Sequence, residues 1–391
     1  MTGVQARPSI TDEAIAALSE WLGRPRPARG WNSVVSSDAV WHFAAGVGDD
    51  NPLWWDQGYA ERTRRARMFA PPTFLYSCNN APERPGEHRI HPSEHWLPGS
   101  RTMWLGDKWT FVRPAWVGEP VAAVETLIDV RERTSRAGKR VVVHTDRTTF
   151  AGGDGTDIAY CDKTVLRAER PAAPPGTGAE PGAGPSAESP DSAPEQVYSP
   201  ADLDRFAAHY RGEAASRRGG TPLEGAGVAP GDSLGTLLKG PLTRTAIVGW
   251  VLGWGSPMCL TGRMQDGYLA NHPGSRLVND RTNVPDSLEA THWDSELARQ
   301  VGLPRAYDFG PQRISWVAHL LTDWMGDDAF LASLEVRLTG PNLLGDVTWL
   351  SGEVSGTERL ADGTWAIDCV VTGRNQRGQQ TTEATARVVA P

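Results

Sequence analysis

A motif repeated at a constant spacing is the feature of this 391-residue sequence that most restricts its fold. The segment LWWDQGYAERTRRARMFAPPTF in the first half is matched by THWDSELARQVGLPRAYDFGPQ in the second half. Adding one constant to the residue numbers of the first segment aligns Trp55 with Trp293 and Asp56 with Asp294. We call this constant the longer offset, because a shorter one is introduced below. The chain is therefore expected to contain two copies of one folding unit.

Strand-like sequence follows the repeated motif in both halves. A short motif that runs from Pro to Gly, at positions 114–118 and again at 341–345, precedes two segments of alternating polarity. A turn that contains Gly138 or Gly363 separates these two segments, as an antiparallel hairpin requires. Each half therefore predicts an antiparallel meander.

A helix is predicted in each copy, over residues 56–67 and 294–301. Asp56 and Asp294 stand at the N-cap positions, where a carboxylate can accept hydrogen bonds from the first free N–H groups. One central helix wrapped by an antiparallel sheet is an α+β arrangement of layers. The sequence thus predicts a tandem α+β fold.

A Pro-, Gly-, Ala- and Ser-rich segment separates the two copies at positions 171–194. Every position in it has one of these four residue types, except for Thr177, Glu180, Glu188 and Asp191. Such a segment buries too little apolar surface to offset the entropy of ordering it, so a flexible linker is predicted. The expected domains are residues 1–170 and 195–391.

Composition excludes several classes of protein. No apolar run approaches the roughly 20 residues of a membrane span, and the N-terminus lacks the apolar region of a secretory signal. The four Cys form no CxxC pair, which favours a cytoplasmic protein without structural zinc. The net charge of −8 gives no reason to expect nucleic acid, and no phosphate-binding loop or dinucleotide fingerprint appears. No cofactor and no membrane partner are expected.

The residues GVGDDNPLWWD resemble the signature D-x-N-P-x-H-x-D of MaoC-like (R)-specific enoyl-thioester hydratases and dehydratases. Asp49, Asn51 and Pro52 match this pattern, whereas Trp54 stands where the family has its His. The stretch APPTF and the motif at 114–118 resemble the dehydratase-like subclass of the family. In the second half, THWD supplies the family's His as His292.

This resemblance implies a double hot-dog protein with an N-terminal dehydratase-like half and a C-terminal MaoC-like half. It also implies an enzyme that interconverts 3-hydroxyacyl and trans-2-enoyl thioesters of CoA or of acyl carrier protein. The two halves would form a pseudo-dimer within one chain, and a homodimer of such chains is left open. In the family, the His and the Asp exchange protons with the α-carbon and the hydroxyl group.

Neither half keeps the whole Asp–His pair. Trp54 has no proton that titrates near neutral pH, so the first half is not expected to catalyse the reaction alone. In the second half, Ser287 occupies the position of the family's Asp, and the nearest acids to His292 are Asp286 and Glu289. Ser256 aligns with Asp49 at a shorter offset, so the second copy carries an insertion between this position and the repeated motif.

Three hypotheses follow from this departure. The first is an active site in the second half, where His292 works with Asp286 or Glu289. The second is a composite site of Asp49 and His292. The third is a protein that binds acyl thioesters without dehydrating them, or a hot-dog thioesterase. We favour the first hypothesis.

Further residues are predicted to contact the substrate. The loop after the second repeated motif approaches the thioester in the family, and a helix N-terminus there would stabilise an oxyanion. An Arg cluster after the first motif could hold the phosphates of CoA or of a carrier protein. HRIHPSEH holds His88, His91 and His95, but Pro92 interrupts any helix that would align them, so no metal site is expected. The substrate-binding candidates are Gly310, Tyr307, Asp308, Asn51, Trp54, Arg64 and Arg65.

Overall fold

A computed structural model describes residues 10–84, 87, 90–135, 138–169 and 195–391 of the chain. The predicted linker at 171–194 lies outside the described residues, as does His88. The proposed boundary between the halves stays a prediction.

The described residues form twelve β-strands. They are β1 (Pro25–Ala28), β2 (Arg101–Phe111), β3 (Val121–Thr134), β4 (Arg140–Gly152), β5 (Asp157–Ala168), β6 (Ser233–Lys239), β7 (Arg276–Val278), β8 (Pro285–Ser287), β9 (Phe330–Leu338), β10 (Thr348–Arg359), β11 (Trp365–Asn375) and β12 (Gln380–Ala390).

Ten of these strands form one continuous antiparallel sheet that both halves share. Its order is β1-β3-β4-β5-β2-β9-β12-β11-β10-β6, so the second half repeats the order of the first in reverse. The halves join where β2 pairs with β9. Gly138 and Gly363 have positive φ values of 72° and 89° in the hairpin turns, which confirms the predicted meanders. The sheet therefore shows the same topology twice, as duplication requires.

The helices follow the same duplication. They are α1 (Asp12–Ser19), α2 (Ser37–Val47), α3 (Pro52–Trp55), α4 (Gln57–Arg62), α5 (Pro92–Trp96), α6 (Pro200–Ser216), α7 (Arg244–Trp254), α8 (Gly262–Asn271), α9 (Ser295–Gln300) and α10 (Gly310–Met325). Four 3₁₀ segments, Pro72–Cys78, Gly225–Gly227, Pro273–Ser275 and Leu288–His292, complete the described helical structure.

Helix starts reproduce the two sequence offsets. Helices α2 and α7 begin at positions related by the shorter offset, which also relates Asp49 to Ser256. Helices α4 and α9 begin at positions related by the longer offset, and so do the 3₁₀ segment at Pro72 and α10. The insertion in the second copy contains α8 and the small β7–β8 hairpin.

The predicted central helices are wrong in position. Asp56 and Asp294 do cap helices, accepting hydrogen bonds from backbone N–H groups of Tyr59 and of Glu296. However, α4 and α9 are each less than two turns long, and α10 provides the central helix of the second half. Its residues from Pro311 to Met325 are all buried, because the sheet and the first-half 3₁₀ segment cover it.

One apolar core spans both halves. Aromatic rings of α2, α7 and the first-half 3₁₀ segment meet in it, with Phe43 packed edge-on against Phe74 and Trp250 at 5.7 and 5.6 Å between centroids. Within the described residues, no helix is both long and apolar enough to cross a membrane.

Candidate active site

His292 is held at the start of the central helix of the second half. It ends the 3₁₀ segment Leu288–His292, and its ring stacks on Phe309 with centroids 3.7 Å apart. Its Nδ1 lies 2.9 Å from the backbone oxygen of Tyr307. Because a carbonyl oxygen only accepts, Nδ1 carries the proton and Nε2 keeps its lone pair. Burial lowers the pKa of His292 to about 4, so the ring is neutral near pH 7.

Glu289 shares one face of this segment with His292. Residues three apart eclipse each other in a 3₁₀ helix, so the two side chains project on the same side. Glu289 is only 4% exposed, and Ser256 donates its Oγ–H to the carboxylate at 2.6 Å. Burial raises the pKa of Glu289 to about 7, which the Ser256 hydrogen bond only partly opposes. This carboxyl group therefore holds a proton at slightly acidic pH.

No ion pair joins His292 to Glu289 or Asp286 among the residues that the structure describes. The Tyr307 carbonyl occupies Nδ1, so a carboxylic acid partner of His292 would act on the side of Nε2. Asp286 lies in β8, where its carboxylate accepts from Gln265 at 3.3 Å. Glu289 is thus the acid whose burial and placement suit a reaction with His292.

The loop before α10 completes this site. The Tyr307 ring lies 4.3 Å from the His292 ring, and its hydroxyl lies 3.3 Å from Thr291 Oγ1. Gly310 opens α10, and a Cβ placed there would meet Trp104 Cγ of β2 at 2.7 Å. Only Gly therefore allows the helix N-terminus to approach the first half so closely.

Asp308 does not line an acyl pocket, and that prediction is wrong. Its buried carboxylate forms a two-pronged ion pair with Arg313 and accepts from the side-chain amide of Asn342 at 3.2 Å. Both partners are buried, so loss of either would leave an unpaired buried charge, and the pair therefore stabilises the conformation of the loop. Asp308 positions the backbone between Tyr307 and Gly310.

The first half places Trp54 where the second half places His292. The Trp54 indole donates to Asp49 Oδ2 at 2.7 Å, and the backbone N–H of Asn51 donates to Asp49 Oδ1 at 3.0 Å. Asn51 caps α3 by accepting from the backbone N–H of Leu53 at 3.1 Å, and its contact with a substrate stays a prediction. Trp54 is 1% exposed. The two hydrogen bonds to the acid of the first motif therefore come from an indole and a backbone amide, neither of which can take a proton.

Asp49 faces His319 of α10, not His292. His319 Nε2 lies 3.5 Å from Asp49 Oδ1 and 3.3 Å from Asp323 Oδ2, and Lys239 Nζ lies 2.8 Å from Nδ1. His292 packs on Phe309, which precedes α10, whereas His319 lies about 15 Å further along the axis of that helix. The composite site of Asp49 and His292 is not assembled. His319 was missed, although its spacing of four from Asp323 on an apolar helix was a usable signal.

The predicted phosphate site is also corrected. Arg65 donates to the backbone oxygens of Asp327 at 3.3 Å and Ala329 at 2.5 Å, and its guanidinium lies over the Phe69 ring. These contacts join the halves and leave Arg65 unable to grip a phosphate. Arg64 is exposed, so the structure leaves its predicted role untested.

Two groups of side chains have the spacing of metal ligands in the described part of the chain. One is Asp49, His319 and Asp323, and the other is His91, Glu125 and Asp146. A lysine side chain already lies beside each group: Lys239 contacts His319, and Lys163 Nζ lies 3.1 Å from Glu125 Oε1. Ion-pair networks account for both groups.

Comparison with known proteins agrees with this architecture. Residues 21–160 match the model of the FAS1-like dehydratase domain region, just over a third of the chain. A protein of Streptomyces griseus subsp. griseus named UPF0336 protein is 29% identical over 108 residues, which are 28% of this chain and 68% of that protein. A protein of the same name from Streptomyces avermitilis is 27% identical over 108 residues, with the same shares of both chains.

Solved structures extend the similarity to both halves. A structure named MaoC-like dehydratase superposes with a TM-score of 0.62 at 18% identity, covering 95% of this chain and 99% of its own. A conserved hypothetical protein of Mycobacterium tuberculosis with a double hot-dog fold superposes with a TM-score of 0.55 at 15% identity, covering 96% and 98%. The chain is therefore a double hot-dog protein with the architecture of MaoC-like dehydratases, and its first half matches the FAS1-like dehydratase region.

Proposed function

We propose that the protein is a hydro-lyase that interconverts 3-hydroxyacyl and trans-2-enoyl thioesters at His292 and Glu289. The observation that carries this proposal is a pair of titratable groups on one face of the Leu288–His292 segment. One is neutral and can take a proton, while the other is a protonated acid at slightly acidic pH. Dehydration needs such a base and such an acid together.

Dehydration begins when His292 Nε2 takes the proton from the α-carbon of the thioester. The electron pair of that C–H bond moves toward the thioester carbonyl and then forms the new C=C bond. Glu289 gives its proton to the hydroxyl group on the β-carbon, so the C–O bond breaks and water leaves. His292 then returns its proton to Glu289 through the site, and hydration follows the same steps in reverse.

The N-terminus of α10 is suited to the negative charge on the thioester oxygen. The first N–H groups of a helix have no partner within the helix, and the helix dipole favours an anion there. Gly310 presents such an N–H with no side chain in the way, whereas Pro311 has none. Tyr307 supplies a wall of the site and a hydroxyl group.

The two halves have different roles in this proposal. Residues 1–170 form the degenerate copy, 171–194 the linker, and 195–391 the catalytic copy. The first half contributes Trp104 against Gly310, and Arg101 donates to the Val301 carbonyl at 3.0 Å behind the site. CoA and acyl carrier protein thioesters are both candidate substrates.

The test follows the enoyl absorbance of a medium-chain trans-2-enoyl thioester incubated with the full-length chain. His292→Ala should lower kcat/KM by about 10²- to 10⁴-fold, the usual effect of losing an acid–base group. The matched control is His42→Ala, because the His42 side chain is exposed on α2. Retained turnover in His292→Ala with an unchanged circular dichroism spectrum would refute the assignment.

A parallel assay for free thiol separates this activity from its alternatives. Hydrolysis removes the enoyl-thioester chromophore as well, so thiol release equal to the loss of absorbance would indicate a thioesterase and refute the hydro-lyase. Binding of the thioester without either change would indicate a protein that only binds it.

A further inference from the structure

Ser256 and Asp49 occupy equivalent turns in the two halves. Each stands two residues after its helix, α7 or α2, and the shorter offset relates the two positions. The backbone N–H of Asn51 donates to Asp49 Oδ1 at 3.0 Å, and that of Met258 donates to Ser256 Oγ at 3.1 Å. Both side chains therefore accept from the residue two positions ahead, as Asp and Ser commonly do in turns. Ser256 thus stands where the first half has an acid.

The acid of the second half comes from the neighbouring position of the repeat. At the longer offset, Asn51 of the first half corresponds to Glu289. Ser256 donates its Oγ–H to Glu289 Oε2 at 2.6 Å, so this carboxyl group lies against the position that Asp49 has in the first half. The two positions have exchanged chemistry, since acid and amide in the first half become hydroxyl and acid in the second.

The Ser256 hydroxyl is fixed by two hydrogen bonds within the protein. Its oxygen accepts from Met258, and its single proton is donated to Glu289 Oε2. Because Oε2 accepts, the proton of the neutral acid is carried by Oε1. Within the described residues Oε1 has no hydrogen-bond partner, and it is not one of the fully buried atoms in that state, so it keeps contact with solvent. The acidic proton is thus held on the open oxygen of the carboxyl group.

We propose that Ser256 is a positioning residue of the hydro-lyase site, which holds Glu289 Oε2 so that Oε1 delivers the proton to the β-hydroxyl group. The inference rests on the proposed function, because it starts from Glu289 as the acid. When the proton leaves, the electron pair of the O–H bond stays on the carboxylate, and the Ser256 hydroxyl stabilises that charge. Ser256 acts through Glu289 and does not touch the substrate.

Other titratable groups near Glu289 keep one charge state while it titrates. Burial raises the pKa of Cys259 to about 12 and also raises the pKa values of Tyr268 and Tyr307, so all three stay neutral. Burial lowers the pKa of His292 to about 4, so the imidazole is neutral throughout the range in which Glu289 changes charge. A change in the titration of Glu289 can therefore be assigned to the contact that was altered.

The experiment measures the titration of Glu289 in the full-length chain by NMR of its carboxyl carbon, whose signal is identified by its loss in Glu289→Gln. Ser256→Ala removes the donor to the charged form, so the midpoint should rise from about 7 by about one pH unit. Ser256→Thr keeps the hydroxyl and should titrate as the wild type does. An unchanged midpoint in Ser256→Ala would overturn the inference.

The matched control is Ser77→Ala. Ser77 is also fully buried, but its hydroxyl donates to the backbone oxygen of Phe74. Its replacement removes the same buried group without touching an acid, so the Glu289 midpoint should stay where it is. An equal shift in this control would show that the effect is not due to the Ser256 contact.

Kinetics test whether the contact serves the reaction. In Ser256→Ala the fall of kcat/KM at alkaline pH should move upward by the same unit. Below that fall, kcat should drop about tenfold at an unchanged KM, because a misaligned acid slows the chemical step while the hydroxyl makes no contact with the substrate. Wild-type kcat and an unchanged pH profile would overturn the positioning role.

Exchanging the two side chains tests the equivalence of the positions. Glu289→Asn alone should lower kcat/KM by about 10²-fold or more, since the acid is lost. Adding Ser256→Asp returns an acid at a turn that suits Asp, and it should recover about tenfold or more of that loss. A double variant no more active than Glu289→Asn would refute the exchange of chemistry between the two positions.

Failure of this inference is distinguishable from failure of the proposed function, because the NMR titration uses no substrate. A midpoint that shifts in Ser256→Ala, in a chain that turns over no enoyl thioester, would uphold the contact and refute the hydro-lyase. Turnover with a midpoint and a pH profile that ignore Ser256→Ala would do the reverse.

Discussion

Replacing Glu289 by Gln removes the proton that the reaction needs while keeping the shape of the side chain. Gln still offers an amide oxygen to the Ser256 hydroxyl, so the contact at 2.6 Å can persist. What disappears is a buried group whose pKa is raised by burial from its usual value near 4.5 to about 7. The change should therefore alter both catalysis and the pH dependence of stability.

The sign of the stability effect follows from proton binding. Between about pH 4.5 and pH 7 the folded chain keeps the Glu289 proton that the unfolded chain has released, so the wild type loses stability as pH rises. A shift from 4.5 to about 7 at about 1.4 kcal/mol per unit corresponds to about 3 kcal/mol. The group weakens the fold above pH 7 and has no such effect below pH 4.5.

Urea unfolding at about pH 5 and about pH 8 measures this difference. Relative to the wild type, the free energy of unfolding of Glu289→Gln should be larger at pH 8 than at pH 5 by about 2–3 kcal/mol, so the variant gains stability as pH rises. Asp286→Asn is the matched control, because Asp286 is less buried and lies in β8. It should leave the pH dependence unchanged.

The rate provides a second measurement on the same variant. Wild-type kcat/KM should rise above about pH 4, where His292 becomes neutral, and fall above about pH 7, where Glu289 loses its proton. Glu289→Gln should lose about 10²-fold or more and show no fall above pH 7. The assignment of Glu289 as the acid is refuted if Glu289→Gln keeps the wild-type rate together with both the rise above about pH 4 and the fall above about pH 7.

Three other substitutions test single contacts. Arg65→Ala should lower the free energy of unfolding in urea by about 1–3 kcal/mol, since buried carbonyls lose their donor, and a raised KM with unchanged stability would restore the phosphate interpretation. Gly310→Ala should cost about 1–3 kcal/mol and reduce kcat/KM, because the new methyl group meets Trp104; full activity would contradict the close approach. Arg313→Met leaves the Asp308 carboxylate buried and unpaired, so thermal unfolding should show a loss of about 3–5 kcal/mol, and a stable variant would contradict the supporting role of the pair.

Local features of the fold were predictable because short-range rules produce them. Asp56 and Asp294 cap helices, since a carboxylate before a helix satisfies free N–H groups wherever the helix later packs. Gly138 and Gly363 adopt positive φ in hairpin turns for a similarly local reason. The repeat offset then places equivalent elements in the two halves.

The central helix was not predictable by the same means. Polar side chains interrupt the apolar surface of α10, including His319 and Asp323, yet the whole helix is buried. Those groups are accommodated by charged partners from distant segments, such as Lys239 and Asp49. A sequence pattern cannot reveal such partners, because they are brought together only by packing.

The sequence by itself determined a duplicated α+β unit, and it showed that Trp54 of the first copy corresponds to His292 of the second. These depend on residue types at short spacings, which act through local hydrogen bonds and steric preference. Only the tertiary structure decided that Glu289 rather than Asp286 is the buried acid and that Asp49 faces His319. The physical reason is desolvation. Removal from water shifts the pKa of each buried group, and this removal arises from the packing of segments that are far apart in the chain.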